Sequence, residues 1–301
     1  MELNMHDQAE NLRNKLKAHA SGREGKVISI VSGKGGVGKS NFALNFALAL
    51  IREGKKVLVM DLDIGMGNID VLLGIHSKYS IKHLFERDMP LEDLIEQGPE
   101  GLEYISGGSS LGSFLEIDES KRSRFFTQFE IVSKSYDYVL FDMGAGATRD
   151  SIYFILASDI CVLISTPEPT ALTDAYGMIK YIVNNYGEMP INIVMNRAIS
   201  VKIGYKALKG LQDVAKQFLD TDLFALGVLP EDATVQRAVM RQTPYLIHKE
   251  NAAVSTAVRN IASAFLGNIS LKHSEGSFLT RLKQLVKQRG GGYGNHSDRY
   301  R

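Results

Sequence analysis

Val27-Ile28-Ser29-Ile30-Val31-Ser32-Gly33-Lys34-Gly35-Gly36-Val37-Gly38-Lys39-Ser40 decides the fold. Val27–Ser32 is a short apolar run of strand length, and Asn41–Arg52 repeats apolar residues at helical spacing. Gly33 to Ser40, between them, satisfies the pattern G-x-x-x-x-G-K-[ST]. Its glycines let backbone N–H groups turn inward around phosphate oxygens. The helix that follows adds the positive end of its dipole. Lys39 is expected at the β/γ-phosphates of a nucleotide and Ser40 on Mg²⁺. The plainer alternative is an ordinary glycine turn before a helix. It does not account for the whole pattern in strand–loop–helix order.

Working outward, further apolar runs read as strands: Val57–Asp61, Glu103–Ser106, Tyr138–Asp142, Cys161–Thr166, Ile191–Asn196 and Ala225–Leu229. Most are apolar on both faces, as parallel strands covered by helices on each side must be. Helical patterns at Lys121–Ser135, Thr170–Tyr186, Tyr205–Phe218 and Ala252–Phe265 lie between them. The expected fold is α/β: a doubly wound, mostly parallel sheet flanked by helices. The glycine loop, Asp61, Asp142, Pro167, Asn196 and Pro230 all fall at C-terminal strand ends. In an open parallel sheet those ends share one edge, where ligands bind.

Asp142 closes Tyr138-Val139-Leu140-Phe141-Asp142, where a carboxylate can hold Mg²⁺ directly or through water. A strand-end Asp that caps the next turn is the alternative. Asp61 and Asp63 end another strand and point the same way while the chain stays extended. One can orient an attacking water and the other the Mg²⁺ shell; a structural pair is the alternative. Lys34 is a second lysine in a loop that needs one. It either meets extra phosphate charge, such as another subunit's nucleotide, or is a solvated surface lysine.

The 301 residues suffice for one large α/β domain with short appendages. One Cys rules out an intramolecular disulfide and a four-Cys metal site, and fits a reducing cytosol. No secretory signal opens the chain, and no run approaches the length of a membrane span. Membrane contact is therefore expected to be peripheral. The net charge of +1 is unevenly placed: residues 271–301 carry +5 and the remainder −4. An acidic body argues against a broad DNA-binding face. Residues 1–17 read as a short helix with an apolar stripe of Met5, Ala9, Leu12 and Leu16, and 18–25 as a linker. The expected division is 1–25, a body of 26–268, and a tail of 269–301. Cys161, the scattered histidines and the Phe125, Phe126, Phe129 group read as core or surface without chemistry.

Lys34-Gly35-Gly36-Val37-Gly38-Lys39-Ser40 resembles the deviant Walker A motif of the MinD/ParA ATPases, within the SIMIBI class of P-loop NTPases. Asp61-Leu62-Asp63-Ile64-Gly65 is similar to that family's switch I, and Asp142-Met143-Gly144-Ala145-Gly146 to its switch II. The resemblance covers about Lys26 to Phe265. It implies an ATPase binding ATP or ADP with Mg²⁺ through Gly33, Lys34, Gly35, Gly36, Val37, Gly38, Lys39, Ser40 and Asn41. It implies ATP-driven homodimerisation with Lys34 reaching the partner's ATP, and Asp63 positioning the hydrolytic water. Ser40, Asp61, Asp63 and Asp142 become the metal-shell residues, and Asn196, Arg197 and Pro230 line the adenine pocket.

Within the family, Asp7-Gln8-Ala9-Glu10-Asn11-Leu12-Arg13 resembles the activator helix of flagellar-number regulators of the FlhG (FleN/YlxH) type. That helix stimulates a signal-recognition-type GTPase, FlhF; a fraying helix is the alternative. Pro167–Tyr176, with Lys180 beyond it, is typical of the same subgroup. The resemblance implies contact with flagellar basal-body (C-ring) components. In Ser277–Arg289, Phe278, Leu279, Leu282, Leu285 and Val286 share one helical face, flanked by Arg281 and Lys283. Such a helix can lie in a membrane interface, placing a cytoplasmic protein on the inner face of the cell membrane. A terminal helix docked on the body, or a partner-binding helix, is the alternative. Other functional readings are a ParA-type DNA-partition ATPase, an iron–sulfur electron-transfer ATPase and a metabolic kinase. The acidic body, the single Cys and the lack of an acceptor site speak against each in turn. No specific nucleic acid is expected.

Overall fold

The computed structural model describes residues 25–63, 67–107, 117–146, 149–186, 189–267 and 276–290. Its strands are β1 (Lys26–Val31), β2 (Val57–Leu62), β3 (Glu96–Gln97), β4 (Glu103–Ile105), β5 (Tyr138–Met143), β6 (Ile160–Ser165), β7 (Ile191–Ala198) and β8 (Leu223–Pro230). Its helices are α1 (Lys39–Arg52), α2 (Ile69–Leu73), α3 (Ile81–Glu86), α4 (Glu119–Ser133), α5 (Arg149–Ala157) and α6 (Pro169–Tyr186). They continue with α7 (Val201–Leu219), α8 (Ala233–Met240), α9 (Tyr245–His248), α10 (Ala253–Gly267) and α11 (Phe278–Gly290).

The strands form one sheet in the order β3-β4-β2-β5-β1-β6-β7-β8. Every pairing is parallel except β3 with β4, which is antiparallel. Alternate strand residues sort into two cores, as period-two geometry requires. Val27, Leu58, Val139, Phe141, Cys161 and Ile193 face one cluster, with α4, α5, α6, α7 and α11. Ile28, Ile30, Val59, Leu140, Val162 and Val194 face the other, with α1 and α10. After β1 the chain builds the β2 side of the sheet, and β6 to β8 extend the opposite side. The crevice at the C-terminal end of β1 is thus the switch point, where ligands bind in open α/β sheets.

The strands and helices read from the sequence within the described residues are all present, with ends moved by a few residues; the helix read over residues 1–17 lies outside the described residues. Asp118 caps α4 by accepting the Lys121 N–H, and Ser200 caps α7 by accepting the Ile203 N–H, so both helices begin earlier than their apolar spacing shows. The short helices α2, α3, α5, α8 and α9, and the two-residue strand β3, were not anticipated. Each is too brief to complete a periodic window, and α5 is nearly continuous in apolar residues.

The tail helix takes the docked arrangement that the sequence left as the alternative to membrane contact. Phe278, Leu279 and Leu282 are buried, and Phe278 packs edge-on or tilted among Phe129, Phe141 and Phe154. Leu285 and Val286 pack partly buried on the same core. Arg281, read as a flanking lipid cation, is itself buried. It donates to the Ala157 carbonyl at 2.9 Å, the Gly276 carbonyl at 2.6 Å and Asp159 Oδ1 at 2.7 Å. Aromatic partners on α4, β5 and α5 supply the apolar surface that the sequence reading assigned to lipid. In this conformation the stripe faces protein. The N-terminal Asp7, Gln8, Ala9, Leu12 and Arg13 lie outside the described residues, as do Ile64 and Gly65.

Candidate functional site

The loop from Gly33 to Gly38 joins β1 to α1 at the C-terminal edge of the sheet. Gly38 sits at φ 90°, a left-handed conformation that costs a side-chain residue strain. A Cβ on Gly33 would lie 2.2 Å from the Asp174 carbonyl oxygen, so α6 runs directly against the loop. Asn196 Nδ2 donates to the Val37 carbonyl at 2.8 Å, and its Oδ1 accepts the Arg197 N–H at 2.9 Å. Arg197 therefore holds a positive φ of 53° with a local partner. Pro230 pairs in register with Ala198, which places the end of β8 beside this corner.

Lys39 Nζ meets Asp142 Oδ1 at 2.6 Å, with both side chains buried. Asp142 lies opposite Asp61 in the β2–β5 register, so a second carboxylate neighbours the Lys39–Asp142 pair. Asp61 is buried and accepts N–H bonds from Asp63, Asn68 and Ile69 at 3.0, 2.9 and 3.3 Å. Burial first, then the charge of Asp142, push its carboxyl up to about 7. Burial also raises the Asp63 carboxyl. Three buried polar atoms have no hydrogen-bond partner among the described residues at this edge: Asp142 Oδ2, Ser32 Oγ and Thr166 Oγ1. They follow or end the three central strands β5, β1 and β6. An orphaned carboxylate oxygen beside a paired lysine, with the half-buried Ser40 in the first helical turn, fits a hard divalent cation with oxygen ligands.

Lys34 behaves differently from Lys39. Its side chain is 42% exposed, donates to Thr170 Oγ1 at 3.1 Å and lies 3.8 Å from Glu168 Oε2. The residues that hold it stand just before and at the start of α6, and sequence reading gave them no such role. The close approach of α6 to Gly33, which no local pattern encodes, brings them together. Ser32 and Thr166 were likewise missed; their position beyond a strand end was the available signal. The structure thus gathers Lys39, Ser40, Asp61, Asp63, Asp142 and Asn196 on one edge, with Lys34 at its exposed rim.

A glycine loop between a central strand and a helix, a buried lysine and strand-end carboxylates define a P-loop nucleoside triphosphatase. Residues 24–266 match the ParA family, described as NUBPL iron-transfer P-loop NTPase. The antiactivator FleN of Pseudomonas aeruginosa is 33% identical over 217 residues, covering 72% of this chain and 78% of that protein. The flagellum site-determining protein YlxH of Helicobacter pylori is 31% identical over 300 residues, covering 94% and 97%. The MinC:MinD cell division complex of Aquifex aeolicus superposes with a TM-score of 0.67 at 25% identity, over 83% of this chain and 100% of that one. MinD complexed with Mg-ADP from Pyrococcus horikoshii gives a TM-score of 0.65 at 25% identity, over 82% and 99%. The chain belongs to the ParA/MinD family of P-loop ATPases. Iron transfer finds no thiolate pair here, because the one cysteine, Cys161, is buried within β6.

Proposed function

We propose that this ATPase is an ATP-switched dimer that sets flagellar number and placement. The observation that carries the reading is the division of labour between two lysines of one loop. Lys39 is buried on Asp142, whereas Lys34 is held outside the loop on Thr170 and Glu168. A cation stationed away from its own loop is free to serve a second phosphate site, and a facing subunit supplies one. The similarity to FleN and YlxH supports the flagellar assignment.

In this reading the amides of Gly33 to Asn41 cradle the phosphates, and Lys39 leaves Asp142 to contact them. Ser40, Asp61 and Asp142 would hold Mg²⁺, which would supply charge neutralisation at the phosphates. Asp63 positions the attacking water, and Asn196, Arg197 and Pro230 border the adenine. Lys34 crosses to the partner's nucleotide and completes its site. Dimerisation then releases α11 from the body, so Phe278, Leu279, Leu282, Leu285 and Val286 of two subunits meet the inner face of the cell membrane together. Pairing two weak helices raises avidity. Residues 1–25, with Asp7, Gln8, Ala9, Leu12 and Arg13, form the segment that stimulates FlhF; 26–268 form the ATPase body and 269–301 the membrane-targeting tail. C-ring components are the remaining partners. The chain acts in the cytoplasm and at the membrane.

The test is a count of flagella by electron microscopy in cells carrying Lys39→Ala in place of the native chain. An altered number or position is expected. Wild-type flagellation alongside lost ATP turnover would overturn the assignment.

A further inference from the structure

The turn after β7 and the first turns of α7 expose apolar and cationic groups together. Ile199 is 81% exposed, Val201 55%, Ile203 45% and Tyr205 50%. Arg197, Lys202, Lys206 and Lys209 are exposed among them, and residues 189–212 contain no Asp or Glu. Lys209 pairs with Asp213 at 2.8 Å; Arg197, Lys202 and Lys206 form no ion pair among the described residues. The helix cannot roll to bury these side chains. Its inner stripe of Gly204, Leu208, Leu211 and Ala215 is already buried. A Cβ on Gly204 would lie 2.3 Å from Val228 Cγ1, so α7 rests in direct contact with β8.

We propose that this patch is an interfacial contact for an anionic lipid bilayer, used while α11 remains docked. The proposal rests on the peripheral-membrane part of the functional reading and adds a second contact to it. Three cations without an ion pair among the described residues, Arg197, Lys202 and Lys206, complement an anionic leaflet. The aliphatic side chains gain by leaving water for the acyl boundary, while lysine stems reach back to headgroups and Tyr205 suits the interface. A nucleic-acid backbone would use the cations and leave the aliphatics in water. An amphipathic peptide is bound in a groove, whereas this patch is the outward face of a helix end. The buried α11 stripe leaves first contact to another surface. The patch also adjoins the nucleotide loop, through Arg197 N–H on Asn196 and Asn196 on Val37.

The test uses the full chain with ADP and sedimentation with phosphatidylcholine vesicles, with and without phosphatidylglycerol. Wild type is expected to bind only the phosphatidylglycerol vesicles. Each cation near an anionic leaflet contributes roughly a factor of five, so Lys202→Gln with Lys206→Gln weakens binding roughly thirtyfold. Ile199→Ser with Ile203→Ser, at exposed positions, is expected to lose binding with unchanged melting temperature and basal ATP turnover. Wild-type binding by both double variants, no binding by the ADP form, or binding to duplex DNA in place of vesicles would overturn the proposal. A gain of binding with ATP reports on α11 instead. Its absence, with the ADP-state losses intact, removes α11 release and leaves the patch standing.

Discussion

Lys39 and Asp142 hold each other out of water at 2.6 Å, and Asp61 lies opposite Asp142 without a cation of its own. Two carboxylates and one lysine leave the cluster short of positive charge. That shortage explains why the Asp61 carboxyl is pushed up to about 7. In the nucleotide-free protein below pH 7 this group holds a proton, and an arriving Mg²⁺ favours the ionised form. Mg-nucleotide binding should therefore release a proton, and affinity should rise with pH through about 6 to 7. Calorimetry in buffers of different ionisation enthalpy checks this: the heats should diverge for wild type and converge for Asp61→Asn. Equal heats for wild type would contradict it. The same shift has a consequence for folding. The folded chain keeps a proton that the unfolded carboxyl loses at its ordinary value of 3.8. The stability of the nucleotide-free protein should fall as pH climbs from about 4 to about 7. At this scale the sequence was most legible. Asp61 and Asp142 stand at strand ends that apolar runs identify, and Lys39 opens the helix after the glycine loop. The neighbours of Lys34 were illegible, since Thr170 and Glu168 reach it only through the packing of α6 on Gly33.

The helix α11 shows what an amphipathic pattern can and cannot say. Spacing alone placed Phe278, Leu279 and Leu282 on one face, and they share one. A hydrophobic stripe carries no label for what covers it, and here Phe129, Phe141 and Phe154 do. Arg281 was open to the same ambiguity, because a long cationic side chain serves a headgroup or a buried carboxylate equally well. Asp159 Oδ2 also accepts the Val27 N–H at 2.8 Å, so the ion pair ties α11 to the start of β1. Arg281 is buried and Asp159 is partly exposed, so losing this charged hydrogen bond costs on the order of 2 kcal/mol. Arg281→Ala should spend that cost on undocking α11 rather than on unfolding the sheet. Amide exchange across Phe278–Gly290 should quicken while exchange in β1 and β6 holds. Unchanged exchange in α11 would show that aromatic packing alone holds the helix.

Across the whole molecule, the sheet order puts β1 between β5 and β6, and the residues of one edge come from six strands or the loops after them. Parallel topology was readable from double-sided apolar runs, since few other arrangements bury such strands. The pairing order was not, because register and neighbours depend on crossovers between distant segments. The same edge carries a buried lysine for its own nucleotide and an exposed one at its rim. The central claim is that Lys34 serves a second copy of the chain. Sedimentation velocity with Mg²⁺ and a non-hydrolysable ATP analogue tests it most directly, with nucleotide binding measured on the same samples. Wild type should form a dimer, and Lys34→Ala should bind the analogue yet remain a monomer. A Lys34→Ala protein that dimerises as readily as wild type would contradict the claim.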